Sequence, residues 1–203
     1  MITISYAITA CNEHEELKRL LEQLKSVVRN EDEIIIQLDT NHTEEVLKIA
    51  SSYINCSYIT CELNKDFATF KNNLKNHCKK DYICFIDADE YLSEDLLHFL
   101  PQVLENNPVD VFLIPRKNTV DGLTEEHVKK WGWRVENGLI NWPDYQMRIV
   151  KNASHIKWEG KVHEKITGYK TLSHFPQDVD SWCLIHPKTI ERQEKQNNFY
   201  NTI

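Results

Sequence analysis

At 203 residues, 41% hydrophobic and 27% charged, the chain has the composition of a soluble globular protein and the length of one domain, or of one domain with a small appendage. A net charge of -7, with no block of five or six basic residues, argues against tight, non-specific nucleic-acid binding. The opening Met1-Ile2-Thr3-Ile4-Ser5-Tyr6 lacks the basic region and apolar core of a signal peptide, and no apolar run approaches a membrane span, so a cytoplasmic protein, or one peripheral at a membrane, is expected.

Residues 2–9 read as a first strand, and Ala10-Cys11-Asn12-Glu13 as the turn that leaves it. Leu17, Leu20, Leu21, Leu24, Val27 and Val28 then recur at helical spacing. The unit repeats. Residues 34–38 form a short strand, Asp39 to Thr43 is polar turn, and Val46, Leu47, Ala50 and Tyr53 mark a helix that Thr43 can cap. Residues 58–63 read as a third strand and 67–78 as a third helix. Strands alternating with helices in this way imply a parallel sheet covered on both faces.

The fourth strand is the stretch around which the chain is organised. Tyr82-Ile83-Cys84-Phe85-Ile86 is apolar, too short for a helix, and runs straight into Asp87, Asp89 and Glu90. Carboxylates at the carboxyl end of a strand sit where open parallel sheets bind ligands, and hard oxygens suit Mg²⁺ or Mn²⁺ carrying a phosphorylated substrate. An extended segment would project Asp87 and Asp89 to the same side. Asp-x-Asp alone is weak, since roughly one copy arises by chance in a chain of this size. A second copy at 178–180 has no apolar strand before it and reads as a solvated loop.

Beyond it, Leu96, Leu97, Leu100, Val103 and Leu104 mark a helix in which Pro101 must make a kink or a break, and residues 109–114 form another strand. Residues 116–143 mix polar side chains, Trp131, Trp133, Trp142 and three of the five glycines without period. A long, partly mobile segment beside a cleft is expected there, its tryptophans either stacking on a sugar or base or pinning the segment to the core. Residues 146–150 resume as a strand with 156–158 as its partner, and 189–200 form a polar closing helix. The six cysteines include no Cys-x-x-Cys pair, so reduced, mostly buried thiols are expected rather than zinc or disulfides.

Several of these stretches together resemble the family 2 glycosyltransferases of the GT-A fold. Residues 4–13 resemble the opening strand and Asn-Glu turn, and 33–39 the second strand with its base-binding aspartate. Asp66-Phe67-Ala68-Thr69-Phe70-Lys71-Asn72 is similar to a Phe-Ala-x-x-Arg-Asn segment, with Lys71 in place of the arginine. Residues 81–90 resemble the strand carrying the Asp-x-Asp-Glu signature. Pro143-Asp144-Tyr145-Gln146-Met147-Arg148-Ile149 and Trp158-Glu159-Gly160-Lys161-Val162-His163-Glu164 look like the branch that includes bacterial lipopolysaccharide-core glucosyltransferases. Two departures stand out. Thr40-Asn41-His42-Thr43 replaces the common Asp-Gly-Ser-x-Asp, and Lys71 offers a diphosphate a point charge rather than a fork.

The resemblance implies an α/β, mostly parallel sheet flanked by helices with a smaller acceptor-side β region, residues 1–115 holding a nucleotide sugar and 116–203 the acceptor. It also implies an inverting, metal-dependent hexosyl transfer from a UDP- or GDP-type donor to a saccharide or lipid-linked acceptor. Asp89 would bind Mn²⁺ or Mg²⁺ and Asp87 the ribose or a metal-bound water; Asp39 would accept from the base or ribose. Lys71 would stabilise the departing diphosphate, and His186 would complete the metal shell. Glu164, at the start of an acceptor-side helix and tuned upward by partial burial, would be the general base, with Glu90 and Asp144 as rivals. Gln146 and Arg148, on alternate positions of one strand, would line the acceptor or sugar pocket with Trp158 and His163.

Other classes fit less well. An Asp-x-Asp phosphohydrolase would place its pair after the first strand, and a sugar nucleotidyltransferase would need a glycine-rich basic loop after Ile8-Thr9. A nucleotide-sugar or glycan-binding module without turnover shares every binding feature with the enzyme.

Overall fold

A computed structural model of the chain describes residues 1–178 and 181–202. Of the second Asp-x-Asp, only Asp178 lies within the described residues. The first half builds β1 (Ile4–Ala10), α1 (His14–Lys25), β2 (Glu33–Asp39), α2 (Glu44–Ser52), β3 (Cys56–Cys61), α3 (Phe67–His77), β4 (Tyr82–Asp87), β5 (Tyr91–Leu92), α4 (Glu94–Asn106) and β6 (Val111–Ile114). The second half adds β7 (Arg116–Asp121), α5 (Glu125–Trp131), β8 (Val135–Glu136), β9 (Leu139–Ile140), β10 (Gln146–Lys151), β11 (Lys157–Glu159), β12 (Lys165–Thr167), β13 (Leu172–His174), β14 (Leu184–Thr189) and α6 (Ile190–Tyr200).

The main sheet has the order β13-β6-β10-β4-β1-β2-β3, parallel throughout except for β10, which runs against both neighbours. Strand alternation divides its side chains between two cores. Tyr6, Ile8, Cys84 and Ile86 face the leucines of α1 and α4, while Ala7, Ile83 and Phe85 face α3, Trp158 and Ile166. Burial on both faces is why the central strands are continuous apolar runs. The parallel strands therefore bring their carboxyl ends, and β10 its amino end, to one edge, and the site forms there.

Helix starts follow the sequence signals. Thr43 caps α2 through Val46 N, Asp66 caps α3 through Thr69 N, and Ser93 caps α4 through Leu96 N. Of the two alternatives at Pro101, the break does not occur: helix α4 runs through it. Two expectations change. Residues 116–143 are not irregular: they hold helix α5 and strands β7, β8 and β9, and these strands join β5 and β14 in a second sheet of order β5-β14-β7-β9-β8. Their strands are two to six residues long, too short to register as periodicity. Finally, β11 pairs with β12 and not with β10, whose partners are β4 and β6. Cys78, Cys84 and Cys183 are buried and Cys11, Cys56 and Cys61 half-buried. No helix among the described residues is long and apolar enough to cross a membrane.

Candidate active site

Strand β4 ends at Asp87, beside Thr9 of β1, whose hydroxyl donates to Asp87 Oδ1 at 2.8 Å. The chain then turns: Ala88 N donates to Thr9 O at 2.9 Å, and Glu90 N to Asp87 O at 2.8 Å. Asp87 and Asp89 therefore do not project from one extended segment. The turn sends them to different partners.

Asp87 Oδ2 accepts from Arg148 Nη2 at 2.7 Å, and Lys71 Nζ stands 3.7 Å from Oδ1. Burial works to raise its pKa, but the charges of Arg148 and Lys71 and the bonds from Thr9 and Arg148 outweigh it and hold Asp87 well below the usual carboxylate range. Asp89 is depressed too: burial again opposes, and His186, Lys188 and Arg192 prevail. Both shifts tie stability to pH with one sign. Carboxylates depressed in the folded state contribute stability above their unfolded value, roughly pH 4, and lose it as pH falls towards the folded values. Denaturant midpoints should therefore hold from neutrality to about pH 5 and fall below about pH 4, and D87N or D89N should flatten that fall. An equal acid slope in both variants would assign the loss elsewhere.

Beneath the pair lies a buried ion network. Glu90, 0% exposed, accepts from Arg148 Nη2 at 2.6 Å and Arg116 Nη1 at 2.8 Å. Arg116 also forks onto Asp144 Oδ2 through Nε and Nη2, at 2.9 and 2.8 Å, where Asn118 Nδ2 donates as well at 2.7 Å. Gln146 Nε2 reaches Asp144 Oδ1 at 3.0 Å. Arg148, expected in the pocket wall, is 4% exposed and sits under the carboxylates instead. An inward-facing β10 position met a carboxylate pair, and the guanidinium stayed with it. Removing one partner of such a network strands a buried charge, so Arg148→Met should cost about 3–5 kcal/mol. Urea unfolding checks this; an unchanged midpoint would mean the network contributes nothing.

Lys71, from α3, is buried and bridges the two halves of the site. Its Nζ donates to Glu164 Oε1 at 2.7 Å and lies over the Trp158 ring at 4.8 Å. Glu164 follows His163, which is left-handed at φ 56, and directly precedes β12. No helix starts at Glu164, so that part of the resemblance is corrected; a strand receives the chain there. Trp158 is 5% exposed, edge-on to Phe85 at 5.3 Å, and is core rather than pocket wall. His163 is exposed, with its ring 6.0 Å from that of Tyr200. Asp39 is 7% exposed at the end of β2, and its Oδ1 accepts from Asn41 N at 2.9 Å, closing the turn that replaced the usual motif.

His186, on β14, places Nε2 3.2 Å from Asp89 Oδ2. Its Nδ1 is 2.8 Å from Asn118 Oδ1. Because Asn118 Nδ2 donates to Asp144, the amide must turn its oxygen to His186, so Nδ1 carries the proton. A proton or a cation then has to lie between Nε2 and Asp89. Among the described residues no three His, Cys, Asp or Glu side chains converge on one point. Asp89 and His186 are thus a facing carboxylate and imidazole, with no third such side chain beside them among the described residues.

Three residues unnoticed in the sequence complete the site. Lys188 Nζ and Arg192 Nη2 lie 3.9 and 3.4 Å from Asp89 Oδ2. Tyr200 is close enough to Asp87, Glu164 and Asp89 for their charges, after burial, to push its hydroxyl up to about 12. The signal was available, since Lys188 and Arg192 stand two and six residues after His186 and an acid cluster must be balanced.

A mostly parallel sheet with one reversed strand, its carboxyl edge lined with carboxylates and a histidine from a second sheet, has the plan of the GT-A glycosyltransferases. Residues 5–166 match the model for glycosyl transferase family 2, and the chain belongs to that family. Among solved structures, S. aureus TarS 1-349 superposes with a TM-score of 0.64 at 16% identity, over 92% of this chain and 60% of that one. The TarS 1-349 complex with UDP gives 0.65 at 15% identity, over 92% and 60%, and that with UDP-GlcNAc gives 0.63 at 16%, over 93% and 59%. The chain thus spans about three fifths of the length of those structures. Among curated proteins none matches.

Proposed function

We propose that the chain is an inverting glycosyltransferase that moves a hexose from a UDP- or GDP-type sugar to a hydroxyl of a saccharide or lipid-linked acceptor. The observation that carries it is the Lys71 bridge, which sets Glu164 against Asp87 at the carboxyl edge of a family 2 sheet. Donor binding falls to residues 1–115 and acceptor binding to 116–203, with His186 returning to the donor side. The stretches 143–149 and 158–164 favour a lipopolysaccharide-core type of acceptor.

Asp89 and His186 suit Mn²⁺ or Mg²⁺, with Asn118 and Asp144 fixing the imidazole. Such an ion, when bound, neutralises the charge that builds on the leaving diphosphate. Glu164 takes the acceptor proton as the oxygen attacks the anomeric carbon, and Lys71 orients Glu164. Asp87, pinned by Thr9 and Arg148, would contact the ribose or a metal-bound water, and Asp39, at the end of β2, the base or ribose. A cytoplasmic location, at or near a membrane surface, fits such an acceptor.

Titration with UDP and GDP, with and without Mn²⁺, followed by a donor-consumption assay, tests this reading. Transfer with inverted product configuration by NMR is expected. Retained configuration would end the single-displacement mechanism, and binding without hydrolysis or transfer to any acceptor would favour a module without turnover.

A further inference from the structure

The tryptophans of residues 116–143 belong to neither core. Trp131, Trp133 and Trp142 are half-buried, and the two apolar clusters, with the partly buried side chains packed on them, include none of the three. Pinning the segment to the core is therefore not their role, which leaves stacking on a ligand. Two of them are set in a fixed arrangement. Helix α5, which buries none of its residues, ends on Trp131, and the ring of His127 one turn earlier stacks parallel to it at 5.0 Å and 13°. His127 is itself held: it closes the capping box with Thr124 and stands 3.8 Å from Glu194 of α6. Trp133 meets Trp131 at 4.6 Å and 51°, so the two indoles form a corner rather than a stack. The β8–β9 hairpin is tied down beside it, Arg134 N donating to Asn141 Oδ1 at 2.9 Å and Arg134 Nη2 to the carbonyl of Trp142. An aromatic corner arranged in advance loses little freedom when a ligand arrives.

The corner is carried by the sheet that completes the site. Ile140 of β9 pairs with Asn118 of β7, and Asn118 faces His186, which faces Asp89. An indole offers a flat apolar face that matches the C–H face of a sugar ring, and Glu125, Glu126, Lys129 and Lys130, all exposed around it on α5, can meet the hydroxyls. A bilayer suits the patch less well. Each of these lysines stands four residues after a glutamate, so α5 has no excess of cations for anionic lipid, and the whole chain is at -7.

We propose that Trp131 and Trp133 form an acceptor subsite that stacks on a sugar ring remote from the reacting hydroxyl. This rests on the sugar-transfer reading above and narrows the acceptor's class: an oligosaccharide, one ring of which reacts at the acids while another rests on α5.

Isothermal titration and steady-state rates with lipopolysaccharide-core oligosaccharide freed of its lipid test it in W131A, W133A and W131F. Each alanine variant should bind the oligosaccharide about 10-fold more weakly and show a KM raised to match, the scale of a lost aromatic anchor. Turnover at saturation and binding of UDP or GDP with Mn²⁺ should not change, and W131F, which keeps an aromatic face, should stay within about 3-fold of the wild type. Equal losses of oligosaccharide and nucleotide binding would mean a merely structural role, and that result, or variants that bind the oligosaccharide as the wild type does, would overturn the proposal. So would a wild type that binds nucleotide but not the oligosaccharide, which leaves the donor reading intact. Flotation of the wild type but not of W131A with phosphatidylcholine–phosphatidylglycerol vesicles, without oligosaccharide binding, would give the indoles to a bilayer instead. Tryptophan-dependent oligosaccharide binding by a protein that binds neither UDP nor GDP would end the transfer reading and leave the saccharide site standing.

Discussion

Replacing Asp89 with alanine should lower sugar transfer by at least 10²–10³-fold, the scale seen when one preorganised electrostatic contact to developing charge is removed. The expectation follows from what converges on Asp89 Oδ2: His186, Lys188 and Arg192 all aim at that one oxygen. Without it, the imidazole loses the carboxylate it faces, and Lys188 of β14 and Arg192 of α6 lose the charge that gathers them. The fold should survive, since Asp89 lies in a turn whose backbone bonds run through Ala88 and Glu90. Rates at saturating donor across a Mn²⁺ series, with a denaturation midpoint alongside, check both halves. Wild-type turnover in D89A would remove Asp89 from the site.

Strands β1, β2, β4 and β6 and the helices between them were legible because each strand is a run of apolar residues and each helix an amphipathic repeat, the patterns that two-sided burial imposes, whereas the two-residue β5 was not, and β3, at the sheet edge, spans 56–61 rather than 58–63. Asp87, Asp89, Lys71, Glu164 and His186 were legible as chemistry and do come together, from α3, β4, the turn before β12, and β14. What stayed hidden was long-range. Strands of two or three residues, such as β8, β9 and β12, take their identity from partners and not from their own composition. Arg148 was read as a pocket residue because alternation tells which side of a strand it faces but not what waits there, and Glu90 and Asp87 waited there. Arg192 looked like one more charge on a polar helix. Only the fold puts that helix over the acids.

Glu164→Gln offers the sharper test of mechanism, because the amide is the same size and its oxygen can still accept from Lys71 while it cannot take a proton. Turnover should drop about 10²–10⁴-fold with the donor KM little changed, the range for loss of a general base. The surroundings of Glu90 and Asp144 suit a general base less well. Glu90 is fully buried between two guanidinium groups. Asp144 Oδ2 already accepts from two nitrogens of Arg116 and one of Asn118, and Gln146 takes Oδ1. Glu164 meets Lys71 through Oε1. Glu164→Ala differs in a useful way: it strands Lys71 in a buried position, so it should lose stability as well as rate, where the glutamine variant loses rate alone. Pre-steady-state rates of the two variants, set beside their urea midpoints, separate the base from the structural partner. If E164Q turns over like the wild type at saturating substrates, the proton goes elsewhere and Glu164 serves only to hold Lys71 against Asp87.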